Sequence, residues 1–545
     1  MKNTIFAGAS MLALALAAPV AAQDNKSTIT QTGTTQTATV TQSGAEAEAT
    51  VIQSNARNTA TVTQSDESGG DAIVRQSGTD NIASIGQTSE SSLGEIRQTG
   101  NRNEASLTQG RPASDPDQTS GQQALLVQSG SDNDIIASQA GSSGDLNLVQ
   151  SGNNNDANVA QSGFNNGSGD DSNPAMVGIN QSGSDNEVFV TQSGDTSEAF
   201  VTQSGNDNGA FINQFGTDND SVSVQSGSMS SISVTQTGVD SGNGNRVRGT
   251  DGRDNPAGDP IRSNFSTINQ SGSNSSVEVT QTGDLNRSGV VQSGNSASAA
   301  LSQSGIYNNS QINQSAGASA DVTQGGAYGD NNSQVTQTAA GGSVIVNQSA
   351  DTTAPTYFPT NESIIVQNAD AEATVGQTGQ QNESLITQNI GADRSTASVT
   401  QTNLLGSLEK DLNSSTITQS ASDSSITVVQ NGAGNTSGVT QSGSFNTVFV
   451  DQIGDFNQST VTQSLGSSNN SADINQTGSD GLSELMQGGS GNNATLNQGG
   501  LDNESILTQA GSNNTATVNQ TGNGNTSNLN QNGTGNTATV TQSGL

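Results

Sequence analysis

Residues 531–542 read Gln531-Asn-Gly-Thr-Gly-Asn536-Thr-Ala538-Thr-Val540-Thr-Gln542, and this short grammar recurs along most of the chain. Asn536, Ala538, Val540 and Gln542 fall two residues apart, the alternation of a strand, whereas a helix face needs steps of three and four. The Gly at the third position and the β-branched Thr and Val add a turn and a strand-forming surface. Each unit is expected to be a strand of about six residues followed by a Gly-bearing turn of about four or five.

Working outward, the glutamine of this unit recurs 42 times between Gln31 and Gln542, which gives 41 intervals. Of these, 30 are 11 residues long and six more are 10, 12 or 13. An 11-residue period also suits a hendecad helix, but the two-residue spacing of the apolar positions excludes it. Five residues after each glutamine stands Asn in every unit near the C-terminus: Asn492, Asn503, Asn514, Asn525 and Asn536. Elsewhere that position alternates, as in Asn81, Ser92, Asn103 and in Asn186, Ser197, Asn208. Alternation at 11 means a true period of 22, two strands per rung. The expected fold is therefore all-β, a two-sheet parallel β-solenoid of 22-residue rungs, about 21 of them at roughly 4.8 Å each.

Residues 22 apart then stack. Gln498, Gln520 and Gln542 form one ladder, and Gln487, Gln509 and Gln531 belong to the facing one. Inward amides at the rung spacing can donate to their own equivalents one rung away, as in cross-β assemblies. The Asn series at 492, 503, 514, 525 and 536 is assigned the same structural role. Small and medium residues such as Ala494, Leu496, Ala516 and Val518 suit the narrow gap between two sheets.

Composition agrees with a thin, shared core. The chain has 545 residues but only 28% hydrophobic and 3% aromatic residues, too few for several globular cores. It has no His and no Cys, which removes Ser-His-Asp and Cys-His nucleophiles, His or Cys zinc sites, haem ligation and disulfides. Lys and Arg total 14 against 49 Asp and Glu, a formal charge of −35, so phosphate backbones are repelled and nucleic acid is not an expected partner. Parallel β-helices include polysaccharide lyases and hydrolases, but the acids here are scattered and bases are nearly absent from the repeats. No enzyme activity, catalytic residue, cofactor or metal is assigned.

Residues 1–22 differ in kind. Lys2, the apolar stretch from Ile5 to Ala18 and the small residues Val20-Ala21-Ala22 fit a signal peptide cleaved before Gln23. The repeats then occupy 23–545, and no later segment is apolar enough to span a membrane. Insertions fall near 110–124, 163–177, 239–265, 350–362 and 402–414, each expected to leave the stack at a turn. In the largest, Asp251, Asp254 and Asp259 reproduce neither a nonapeptide calcium motif nor an EF-hand spacing. Phe189, Phe200 and Phe211 each lie eight residues after their glutamine and point outward. The period puts Phe189 and Phe211 on one face and Phe200 on the other, a candidate contact patch.

The pattern Gln-x-Gly-x-x-Asn-x-Ala-x-Val-x-Gln, at 531–542 and nearly so at 509–520, resembles the curlin repeat of bacterial curli subunits. The resemblance implies a secreted functional amyloid: an extracellular or cell-surface fibre protein of biofilm matrix and cell adhesion. Its implied partners are copies of itself, stacked end to end through the terminal rungs, with other curli-type subunits and a secretion pore. The chain departs from the family in its length and in starting its repeats almost directly after the signal peptide. A monomeric rod-like surface adhesin and an ice-binding solenoid with regular outward Thr are the alternative readings.

Overall fold

The computed structural model describes residues 24–43, 45–65, 69–88, 90–110, 121–164, 177–238, 264–326, 330–350, 361–403 and 412–544. Among them are 42 strands and no helix. The signal-peptide segment lies outside the described residues, and so does most of each insertion: 111–120, 165–176, 239–263, 351–360 and 404–411.

The strands alternate between two parallel sheets. β1 (Lys26–Thr34) pairs with β3 (Glu48–Ala56), and β2 (Thr37–Gln42) with β4 (Thr59–Gln64), each residue standing beside its equivalent 22 positions on. The same in-register pairing of each strand with the second one on holds within both compact units of the chain, residues 1–284 and 285–545, the offset departing from 22 only where the repeat length changes. The first contains ten odd-numbered and ten even-numbered strands, up to β20 (Ser276–Thr282). The second contains eleven of each, from β21 (Asn286–Gln292) to β41 (Thr526–Thr534) and β42 (Thr537–Ser543). Each is a two-sheet parallel β-solenoid, as the 22-residue period implies.

The alternation within strands is the one the glutamine sets. In β4, Ala60, Val62 and Gln64 are buried while Thr59, Thr61 and Thr63 face outward. The core is one thin layer of side chains from each sheet, three or so per strand, so no cluster of large residues is needed. Ile85, Ile96, Leu107 and Leu126 are among its largest members.

Many strands are longer than expected, nine residues in β5 (Asp71–Thr79) and β7 (Leu93–Asn101), because pairing continues past the glutamine into the turn. The glycine there is compelled by the stack. Gly78 has φ +110°, and a Cβ on it would meet the Gly100 carbonyl oxygen at 1.8 Å. The corner itself then shrinks to a left-handed residue, Asp80 at φ 60°, followed by the inward Asn81. Asp and Asn adopt that conformation more readily than other non-glycine residues.

The insertions leave the register intact. Gln98 pairs with Gln128, Gln150 with Gln181, Gln225 with Gln270, Gln337 with Gln367 and Gln388 with Gln419, so ladder glutamine stands beside ladder glutamine across each.

Candidate functional site

Within each of the two units the glutamines form two amide ladders, one per sheet. Gln31 Nε2 donates to Gln53 Oε1 at 2.7 Å, Gln53 to Gln76 at 2.8 Å, Gln76 to Gln98 at 2.8 Å and Gln98 to Gln128 at 2.8 Å. In the second unit Gln487 donates to Gln509 and Gln509 to Gln531, both at 2.9 Å. On the facing sheet Gln498 donates to Gln520 at 2.9 Å and Gln520 to Gln542 at 2.8 Å. The direction never changes: each Nε2 faces the following rung and each Oε1 the preceding one. The same Nε2 also binds backbone carbonyls. Gln509 reaches Asn493 O at 3.0 Å on the facing sheet and Asn514 O at 3.1 Å at its own corner. One side chain thereby joins two rungs and two sheets, which is why a polar residue is tolerated at zero exposure.

The asparagines stack at the corners in the opposite sense. Asn514 Nδ2 donates back to Asn492 Oδ1 at 3.1 Å, Asn536 to Asn514 at 2.9 Å and Asn525 to Asn503 at 3.0 Å. Asn514 Nδ2 also reaches forward to Gly533 O at 3.1 Å, tying the corner to the turn glycine. In residues 1–284 the Asn column stands before the even strands, from Asn58 to Asn208, while Ala47, Gly70, Ser92 and Gly144 stand before the odd ones. The column moves to the odd strands at Asn219 and Asn264, stands before them again from Asn286 onward in residues 285–545, and from Asn446 occupies both corners except at Gly481.

Phe189 in β14 (Glu187–Asp195) and Phe211 in β16 (Gly209–Thr217) are in register, with ring centroids 5.3 Å apart and planes 8° from parallel. Phe200 is in β15 (Glu198–Gln203), on the other sheet, beside Gly178. A second outward aromatic group follows the same eight-residue offset but escaped the sequence reading. Phe449 and Ile453 face outward from β34 (Thr447–Ile453), with Phe445 and Phe456 at the corners on either side. All four are 39–58% exposed.

Charges also align in columns. Arg57 makes a double hydrogen bond with Asp80 at 2.6 Å and Arg102 with Asp132 at 2.5 Å, each pair one rung apart at left-handed corner positions. The hydrogen bond from Arg57 holds the Asp80 carboxyl below its ordinary range, and that from Arg102 does so for Asp132. Glu95 sits between Arg97 at 2.7 Å and Arg75 at 3.2 Å. No cation stands in the column Glu104–Asp134–Asp156–Glu187, four in-register acids that open β8 (Glu104–Gly110), β10 (Asp134–Ser142), β12 (Asp156–Phe164) and β14. Partial burial, then Asp156 and Glu104, push the Asp134 carboxyl up, and burial does the same to Asp156. Among the described residues there is no group of three or more His, Cys, Asp or Glu that could hold a metal ion. Nor is any described helix long and apolar enough to cross a membrane.

A parallel two-sheet solenoid zipped internally by side-chain amides is an architecture of structural proteins of the cross-β kind. The sequence profile of the curlin associated repeat matches residues 175–205, 205–238, 272–305, 421–454, 445–478 and 511–544. These six matches, spread from residue 175 to residue 544, support a curlin-repeat family assignment, and such repeats suggest a curli-like, amyloid-type structural protein. No curated protein matches the chain.

Proposed function

We propose that the mature protein is exported and self-assembles end to end into extracellular amyloid fibres that serve biofilm matrix and cell adhesion. The observation that carries this reading is the polarity of the glutamine ladders. Gln31 and Gln42, in the first described rung, donate their Nε2 to the following rung and turn their Oε1 atoms the other way, where no described glutamine donates to them. Gln531 and Gln542, in the last described rung, have Nε2 groups that donate to backbone carbonyls but to no following glutamine. The first rung thus offers acceptors and the last rung donors. A second copy supplies what each lacks, in one head-to-tail orientation. Family membership supports extracellular or surface placement, and other curli-type subunits and a secretion pore are proposed as further partners.

Purified mature chain should give thioflavin fluorescence, unbranched fibres under the electron microscope and a reflection near about 4.8 Å. A protein that stays monomeric for days at micromolar concentration would overturn the proposal and favour a rod-like adhesin.

A further inference from the structure

The outer face of β34 carries Phe449, Asp451 and Ile453, and the adjacent β36 (Ser471–Gln476) adds Asp473 and Asn475. Asp451 Oδ1 and Asn475 Oδ1 stand side by side in register, both inaccessible to solvent and both without a hydrogen-bond partner. Burial, then the neighbouring Asp473, push the Asp451 carboxyl up, and burial pushes up Asp473. Two neighbouring carboxylates with no cation between them, beside exposed Phe449 and Ile453, fit a partner that is both cationic and apolar.

The same chain presents such a face. On the outer side of β5, β7 and β9 (Gln123–Ser131), Arg75 and Arg97 stack in register, continued by Ile52 on one side and Val127 on the other. Ile73 and Leu125 flank them two residues back. Glu95 engages the Nε and one terminal nitrogen of Arg97 and only the Nε of Arg75. Two guanidiniums around one carboxylate retain a net positive charge, and their side chains are half exposed. A guanidinium has five donors in a planar fork, so several remain to reach a second set of acceptors.

We propose that the Arg75/Arg97 face of one copy docks on the Phe449/Asp451/Asp473 face of another, a lateral contact separate from end-to-end stacking. The arginines pair with the exposed Asp473 carboxylate and offset the charge of Asp451 beside it, while Ile52, Ile73 and Val127 cover Phe449 and Ile453. Because the two patches differ, the contact is heterologous: the docked pair retains one free face of each kind, so association can propagate sideways.

Charge exchange tests it. Three preparations are compared: wild type, Arg75→Asp with Arg97→Asp, and Asp451→Arg with Asp473→Arg. Lateral pairing is read as rod width by electron microscopy and as cross-sectional radius by X-ray scattering, at about 0.15 M and about 1 M salt. Wild type should pair at low salt and separate at high salt. Each double variant should lose pairing at least about tenfold, because like charges now meet at the contact. An equal mixture of the two variants should recover it, since the aspartate face of one fits the arginine face of the other. Circular dichroism and the strand-spacing reflection verify that each variant is folded, and rod length reports end-to-end growth independently of width. Pairing unchanged in either folded variant, absent in wild type, or not restored in the mixture would overturn the proposal.

Discussion

A buried serine hydroxyl without a partner costs about 1–3 kcal/mol, and the odd strands carry a column of them. Ser221, Ser266, Ser288, Ser310, Ser333, Ser363, Ser384, Ser415, Ser437, Ser459 and Ser505 occupy equivalent inward positions, and none of these hydroxyls is hydrogen-bonded. Ser483 in the same column differs, donating to Gln498 Oε1 at 2.8 Å on the facing sheet. Ser310→Ala and Ser333→Ala should therefore each raise stability by about 1 kcal/mol, whereas Ser483→Ala should lower it by a similar amount. Chemical denaturation of the three variants checks the opposed signs. This column was invisible to hydrophobic pattern. In Ser221-Val-Ser223-Val-Gln225 the valines suggest one inward phase and the glutamine the other, and the chain follows the glutamine, leaving Ser221 and Ser223 fully buried. A ladder amide that joins two rungs and two sheets outweighs two valines, which keep partial cover on the outer face. The period and the two-residue alternation were thus enough to give the solenoid. The direction of the amide bonds and the role of the left-handed corner at Asp80 depend on three-dimensional contacts that spacing does not encode.

At the scale of strands, the parallel in-register stack places identical positions side by side, and chemistry that is mild on one strand becomes costly in a column. In the column Glu104–Asp134–Asp156–Glu187 it is Asp134 that shows this, its carboxyl pushed up first by burial and then by Asp156 and Glu104. Asp134 and Asp156 have raised carboxyl pKa values, so the folded state binds more protons than the unfolded chain and stability falls as pH rises through that interval. The penalty is complete above the raised folded pKa and gone below the ordinary value of 3.8. Asp134→Asn with Asp156→Asn should accordingly stabilise the protein at neutral pH and have no effect in strong acid, a contrast read from melting temperatures at the two pH values. The insertions make the complementary case, since strand pairing ignores them. Asn331 pairs with Asn361, 30 positions on, as faithfully as Thr37 pairs with Thr59. Deleting Asp351 to Phe358 restores a spacing of 22 residues there. Because loop closure depends only weakly on length, the deletion should change stability by less than about 1 kcal/mol. A large loss would mean that this insertion contributes contacts of its own.

For the whole molecule, the formal charge of −35 opposes the approach of copies, while the ladder amides of the first and last described rungs, on the proposed reading, favour it. The edge that matters can be addressed without disturbing the strand behind it. Thr515 N, at the start of β40 (Thr515–Thr521), donates forward to Asn536 O, and Gly544 N donates back to Thr521 O. Since N–H groups alternate sides along a parallel strand, those of Thr539 and Thr541 point away from β40, toward the side where a further rung would add. Replacing both by Pro removes only edge donors and places a ring where the next strand must lie. The residues behind them, Ala538, Val540 and Gln542, keep their inward contacts. The Thr539→Pro, Thr541→Pro protein should therefore fold like wild type, accept no addition at its C-terminal rung, and still dock its N-terminal rung onto a growing end. Added at a small fraction of the wild-type concentration, it should cap fibres and slow elongation out of proportion to its amount. Fibre length distributions and thioflavin kinetics would show this as shorter fibres at unchanged width. If wild-type fibres elongate past the variant at full speed, growth does not proceed through the β42 edge, and the lateral faces must carry the assembly instead.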